Sequence, residues 1–161
     1  EIHTIEEKMD ITQGKLVIGM NVLGEGKDLS YITMVYNTIL GVGANSKLFQ
    51  NVREKSSLCY SIASTIAPVT NSMFVYAGID KKNYNKTLKE VLRQIESMKN
   101  GEFTEQEIEN AKTTFKSSIK ELYDSEISLV SSMASVEYLK YDTLEERIKK
   151  IDKVTKEEIK I

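Results

Sequence analysis

Two apolar segments joined by a short turn constrain the fold of this chain more than any other feature of its sequence. Residues 58–69 have the length and the β-branched, apolar character of a strand, and residues 73–79 alternate in the manner of a half-buried strand. Pro68 and Asn71 favour a turn between the two segments. The pattern therefore predicts an antiparallel hairpin with one apolar face. On its second strand, that face consists of Met73, Val75, Ala77 and Ile79.

The remaining elements place this hairpin in an α+β fold. Residues 15–22 predict a further strand, and residues 24–28 predict the turn that leads from it into a helix. Apolar residues at helical spacing, with capping residues at several ends, predict helices at 29–40, 47–55, 84–98, 104–122, 125–141 and 144–154. We therefore expect an α+β sandwich, in which helices are layered on one face of a mixed or antiparallel β-sheet.

The whole chain, residues 1–161, is predicted to be a single domain from a longer polypeptide. Its length suits one hydrophobic core and is short for two. The chain begins with Glu1 rather than methionine. A capping box formed by Thr155 and Glu158 would open a helix that only residues 159–161 follow. Both ends suggest an excised piece.

The helix predicted at 84–98 carries the most regular apolar stripe in the chain. The members of the stripe recur at the spacing of one helix face, and Asn100 and Gly101 are expected to end the helix. The stripe consists of Tyr84, Leu88, Val91, Leu92, Ile95 and Met98.

Composition excludes several classes of function. The 22 basic and 24 acidic residues give a net charge of −2, which offers no basic surface for nucleic acid. The apolar runs are far shorter than the ~20 residues of a membrane span.

With a single cysteine, Cys59, and a single histidine, His3, the chain lacks the ligands for a zinc site of its own. Cys59 is expected to fill space in the core, and His3 to lie on the surface. The lone cysteine and the lack of a recognisable signal peptide favour a cytoplasmic location. A composition rich in lysine, isoleucine and asparagine suggests that this cytoplasm is bacterial.

The most specific signal lies in residues 40–61. Gly41 and Gly43 are expected to end the helix at 29–40, because glycine readily adopts the left-handed conformation found at helix C-caps. The residues that follow have the order Ser-x-Leu-Phe-x-x-x-Arg-Glu-x-x-x-Leu-x-Tyr. The matching positions are Ser46, Leu48, Phe49, Arg53, Glu54, Leu58 and Tyr60.

This segment resembles the C-terminal-type, inactive domain of the insulinase/pitrilysin family of zinc peptidases, which includes the mitochondrial processing peptidases. Relatives of that kind work as two halves that close around a peptide, and one half carries an H-x-x-E-H zinc motif. The resemblance implies that this chain is the other half. Because no H-x-x-E-H occurs in it, the zinc is expected in a partner domain or a partner subunit, and this chain alone is expected to be inert.

The resemblance also implies roles for two side chains, Arg53 and Tyr60, which lie seven positions apart as in the family. Arg53 would bind the backbone of the peptide substrate, since a guanidinium presents a fixed set of donors to carbonyl oxygens. Tyr60 would also contact substrate, and its hydroxyl would donate to the oxyanion of the tetrahedral intermediate.

Two other functions stay open at this point. The chain could belong to a catalytically dead pseudo-peptidase that acts as a structural or regulatory partner of an active zinc peptidase. Alternatively, the resemblance could be a coincidence, and the chain would then be a generic α+β module that binds a ligand or a protein. A fold without the expected layering of sheet and helices would favour this last alternative.

Overall fold

A three-stranded antiparallel sheet forms one layer of the computed structural model. Its strands are β1 (Gly14–Asn21), β2 (Cys59–Ala67) and β3 (Ser72–Ile79), in the order β1-β3-β2. Both neighbouring pairs are antiparallel, so the hairpin of β2 and β3 is confirmed and β1 is added to its far side. The structure describes residues 3–8, 10–22, 29–67 and 70–160. The expected turn at 24–28 and Pro68 lie outside these ranges.

Helices form the second layer, which confirms the α+β class. Three N-caps close with complete capping boxes, at Thr104, Thr143 and Thr155, as threonine followed by glutamate at the third helical position predicts. The helices are α1 (Leu29–Gly41), α2 (Tyr84–Lys99), α3 (Glu105–Tyr123), α4 (Glu126–Leu139), α5 (Leu144–Lys153) and α6 (Lys156–Ile159).

The core lies between the sheet and the helices. The inward face of β3 is buried as its alternation predicts, from Met73 to Ile79. It packs with Leu16 of β1 and Ile62 of β2 against the apolar faces of the helices. The largest fully buried side chains of the core include Val35, Leu40, Val91, Met98, Ile108 and Ile151. One face of the sheet is therefore covered, and the opposite face is open.

The helix predicted at 84–98 is confirmed as α2, and only part of its apolar stripe is buried. Val91, Ile95 and Met98 are buried, but Tyr84 and Leu92 are 39% and 49% exposed. Both side chains line an open groove together with residues of β1. This groove of about 1390 Å³ between β1 and α2 leaves these side chains uncovered.

The two glycines after α1 have different roles, which corrects the expectation that both end the helix. Gly43 has a φ of 77° and makes the left-handed turn. Gly41 is the last residue of α1 and has no positive φ. It lies against Ser64 of β2, where a β-carbon would collide. Gly41 is thus a packing residue.

The helices of the described part of the chain are all too short or too polar to cross a membrane.

Candidate functional site

The segment that carries Arg53 begins in a loop held by local hydrogen bonds. The buried Ser46 hydroxyl donates to the Gly43 carbonyl at 2.8 Å and accepts from the Phe49 N–H at 3.4 Å. The Gln50 side chain donates to the Ala44 carbonyl at 2.7 Å. Next to Ser46, the Lys47 ammonium pairs with Glu107 in the first turn of α3 at 3.1 Å. The start of the segment is therefore fixed to the helical layer.

Arg53 itself lies on a π-helix, Phe49–Lys55, in place of the ordinary helical stretch that was expected. Leu48 and Val52 are fully buried and anchor this wider helix to the core. The Arg53 guanidinium lies 4.5 Å from the centroid of the Phe49 ring and 3.8 Å from the Glu54 carboxylate. Its side chain is 39% exposed. π-Helical turns often occur at functional sites, because they change the direction of a side chain on the helix.

A tight turn leads from the π-helix to β2. Ser57 has a φ of 49°, and the Leu58 N–H donates to the Val52 carbonyl at 3.1 Å. The Leu58 carbonyl accepts from the Thr87 hydroxyl at 3.3 Å and from the Asn83 side chain at 3.4 Å. The turn between Arg53 and Tyr60 is thus tied to the start of α2.

Tyr60 lies at a β-bulge. Cys59 pairs with Ile79, and Ser61 pairs with the preceding residue, Gly78, so Tyr60 is the extra residue in the ladder. A bulge bends its strand and redirects a side chain. Tyr60 is 59% exposed, and among the described residues none accepts or donates a hydrogen bond at its hydroxyl.

Charged groups surround the bulge. Arg53 acts electrostatically on the Cys59 thiol: burial raises the pKa of this thiol, and Arg53 opposes that rise. Lys82, in the turn after β3, donates to Asp80 at 3.1 Å, and this carboxylate is the main reason that the pKa of Lys82 is raised. The negative form of Tyr60 adds a smaller effect in the same direction. Because Lys82 is paired with Asp80 and Arg53 with Glu54, each of these cations has an acidic partner, and the site is exposed and polar.

Cys59 and His3 take the places expected of them. Cys59 is half-buried and packs against the core, and His3 is exposed. Within the described ranges, histidine, cysteine, aspartate and glutamate side chains form no group of three or more that could hold a metal ion. The described residues therefore do not fit a catalytic zinc.

Comparison with known proteins identifies the family. Residues 1–115 match the family described as the Peptidase M16 inactive domain. The chain belongs to this family. "Probable inactive metalloprotease YmfF" of Bacillus subtilis (strain 168) is 35% identical over 159 residues, which cover 95% of this chain and 36% of that protein. "Uncharacterized zinc protease YmxG" of the same strain is 29% identical over 165 residues, which cover 99% of this chain and 40% of that protein.

A solved structure has the same fold as this chain. A conserved protein from Enterococcus faecalis V583 superposes with a TM-score of 0.85 and 33% identity, over 93% of this chain and 36% of that protein. The M16 domain described here thus spans well under half the length of these relatives. Family membership also excludes the generic binding module. The chain matches the family in sequence, and it has the expected layers of sheet and helices.

Three features of the site were not predicted from the sequence. They are the π-helix under Arg53, the bulge at Tyr60, and Lys82 beside it. The bulge leaves no clear signal, because the alternation of β2 continues on both sides of it. Lys82 could have been found, since it lies in the turn after β3, the strand that pairs with the strand of Tyr60.

Proposed function

We propose that this M16 domain is the substrate-binding and chamber-closing half of a zinc-dependent peptidase. A domain or subunit that carries the zinc motif would complete the chamber, on the same polypeptide or on another. One observation carries the proposal: Arg53 and Tyr60 are exposed on either side of one hydrogen-bonded turn, and the Tyr60 hydroxyl has no hydrogen-bond partner among the described residues. This hydroxyl is therefore available for a ligand.

The chemistry of the two groups suits a peptide. Arg53 would donate to backbone carbonyls of the substrate, and its contact with the Phe49 ring limits the orientations of the guanidinium before substrate arrives. Tyr60 would donate to the oxyanion that forms when the scissile carbonyl is attacked. The attacking water and its activation belong to the partner half. On its own, the chain is expected to bind peptide weakly and to cleave none.

The test uses the full-length protein, or its complex with a zinc-bearing subunit, and a fluorogenic peptide. We expect Tyr60→Phe to lower kcat about 100- to 1,000-fold, as the loss of one oxyanion donor does elsewhere. Arg53→Lys keeps the charge but loses the planar fork, so it should raise KM. Tyr138→Phe and Arg93→Lys are matched controls, because both side chains are exposed on the helical layer. Unchanged kinetics in both site variants would contradict the proposal.

The pseudo-peptidase is the second candidate, and the name of the Bacillus subtilis relative, "Probable inactive metalloprotease YmfF", favours it. In that case the full-length protein would contain no zinc and would bind a subunit or a peptide without cleaving it. Zinc content and peptide hydrolysis of the purified full-length protein separate the two candidates.

A cytoplasmic location stays a prediction from the sequence.

A further inference from the structure

A buried side-chain amide joins the π-helix to α2. The amide belongs to Gln94, which is 3% exposed, and its oxygen accepts a hydrogen bond from the Asn51 side chain of the π-helix at 2.8 Å. Its nitrogen donates to the Glu90 carboxylate, one turn earlier in α2, at 2.7 Å. A buried amide is costly unless its polar atoms are hydrogen-bonded, so these two partners hold Gln94 in place. We call Asn51, Gln94 and Glu90 the amide bridge.

The charges at its two ends give the amide bridge one direction. Arg93 donates to both oxygens of Glu90, at 2.6 Å in the shortest of these contacts, and holds the pKa of this carboxyl below its usual range. An ionised carboxylate only accepts, so the Gln94 nitrogen must face Glu90 and the Gln94 oxygen must face Asn51. At the other end, the Lys55 ammonium donates to the Asn51 side-chain oxygen at 3.1 Å. Each donor in the bridge therefore meets an acceptor.

Asn51 and Arg53 lie on different sides of the π-helix. They are two positions apart, and residues at this spacing do not face each other on a helix. Asn51 bonds to α2, whereas Arg53 is partly exposed, with its guanidinium 4.5 Å from the centroid of the Phe49 ring. A contact that fixes the rotation of the π-helix on the Asn51 side therefore also fixes the direction of Arg53 on the other side.

Apolar packing alone does not define this rotation. The buried side chains of Leu48 and Val52 anchor the π-helix to the core, but apolar attraction has no preferred direction. A hydrogen bond, by contrast, weakens steeply when its donor and acceptor are misaligned. The bond from Asn51 to Gln94 is therefore a directional contact between the π-helix and α2.

We propose that Gln94 is a positioning residue of the peptide-binding site. Through Asn51 it fixes the rotation of the π-helix, and thereby the direction in which Arg53 meets the peptide. Gln94 itself is too deeply buried to touch the peptide. This inference rests on the proposed function, because it takes Arg53 as the group that binds the peptide backbone.

The first measurement follows Arg53 directly, by NMR of the full-length protein with isotope-labelled arginine. The Arg53 Nε–H resonance is identified by its loss in Arg53→Lys. The ring current of Phe49 should displace this resonance, because the ring lies beside the guanidinium, and Phe49→Leu gives the position without the ring. Gln94→Met replaces the amide with an apolar chain of similar length. We expect it to move the Arg53 resonance toward its position in Phe49→Leu.

The second measurement is peptide hydrolysis by the full-length protein or its complex with the zinc-bearing subunit, or peptide affinity where it hydrolyses none. We expect Gln94→Met to raise KM, or Kd, about two- to tenfold with kcat nearly unchanged, because a misaligned Arg53 weakens substrate binding and takes no part in bond cleavage. In an Arg53→Lys background, the same substitution should change KM less than about twofold, since two residues that act through one contact are not additive.

Asn51→Asp tests the amide bridge from its other end. The carboxylate keeps the shape of asparagine and can still pair with Lys55, but it has no N–H to donate to Gln94. It should reproduce both effects of Gln94→Met, and it decides the matter if that variant does not fold. Arg93→Lys keeps a cation beside Glu90, so it should preserve the bridge.

Two controls separate positioning from stability. Gln106→Met removes a similar amide, which donates to the Asn110 side chain at 3.0 Å on the exposed side of α3, and it should change neither measurement. Ile119→Val removes a buried methyl group from α3, so it should destabilise the domain without changing the Arg53 resonance or KM.

The outcomes distinguish this inference from the proposed function. An Arg53 resonance that stays in place in both Gln94→Met and Asn51→Asp would overturn the inference, whatever the kinetics. An increase in KM that is equally large in the Arg53→Lys background would also overturn it, because Gln94 would then act on the fold as a whole. If the resonance moves while Arg53→Lys alone leaves KM and Kd unchanged, the proposed role of Arg53 fails, and the control of its direction by Gln94 stands.

Discussion

Gly41 and Ser64 approach each other so closely that no side chain fits between them. A β-carbon at position 41 would lie 2.7 Å from the Ser64 amide nitrogen, and nearer still to its hydroxyl oxygen. One turn earlier in α1, the Asn37 side chain accepts from the same hydroxyl at 2.7 Å. These contacts fix the end of α1 against β2. Because the π-helix with Arg53 follows α1 and Tyr60 lies near the start of β2, these contacts also contribute to the placement of the candidate site.

Replacing Gly41 with alanine should therefore destabilise the domain, by about 1–3 kcal/mol or more, because the new methyl group must push α1 and β2 apart. Urea unfolding of the variant gives the value. Gly43→Ala is the control, since nothing lies within 4 Å of a β-carbon there and only the positive φ of 77° is unfavourable, at about 1 kcal/mol. Equal stability of Gly41→Ala and the wild-type protein would contradict this account of the packing.

Much of the fold could be predicted because it depends on local patterns. The alternation in residues 73–79 and the threonine–glutamate caps depend on near neighbours, and each gave the correct element. The position of β1 beside β3 depends on a contact between distant parts of the chain. The exposure of Leu92 depends on the groove that α2 forms with β1, which no local pattern contains.

The site was predictable to a smaller extent, and for a related reason. The resemblance named Arg53 and Tyr60, but their surroundings follow from tertiary contacts. The bulge that frees Tyr60 exists only in the pairing of β2 with β3, and the turn at Leu58 is shaped by side chains from α2. The sequence therefore identified the candidate functional residues, but it did not predict their orientation or their neighbours.

Thr87 should stabilise the turn between Arg53 and Tyr60. Its fully buried hydroxyl donates a bifurcated hydrogen bond to the carbonyls of Asn83, at 2.9 Å, and Leu58, at 3.3 Å. Thr87→Val keeps the shape and removes the donor, so we expect a loss of about 1–2 kcal/mol in the free energy of unfolding. In the assembled enzyme, the same variant should raise KM if the turn positions Arg53.

Thr114→Val is the matched control for Thr87→Val. The Thr114 hydroxyl makes the same kind of bond, to the Asn110 carbonyl at 2.9 Å, but on the exposed side of α3. Water can replace that donor, so we expect a change below about 0.5 kcal/mol. Similar losses in the two variants would mean that the carbonyl of Leu58 does not depend on Thr87.

Alkaline pH should destabilise the domain through Tyr36. This side chain is 6% exposed, and burial, with a smaller effect from Glu96, raises the pKa of its phenol to about 12. In the unfolded chain the pKa of tyrosine is about 10. Between these values the unfolded chain releases a proton that the folded protein retains, so the Tyr36 contribution is fully present below pH ~10 and decreases as the pH rises toward ~12.

Tyr36→Phe isolates this effect, because phenylalanine packs similarly and cannot ionise. The difference in unfolding free energy between the wild-type protein and the variant should shift against the wild type by roughly 1–2 kcal/mol between pH 9.5 and 11.5, since one retained proton changes stability by about 1.4 kcal/mol per pH unit. Urea unfolding at the two pH values gives the difference. Glu96→Gln should make the shift smaller, because it removes the second cause of the raised pKa. A difference that does not change with pH would show that the Tyr36 phenol ionises as readily in the folded domain as in the unfolded chain, and that its burial does not govern its pKa.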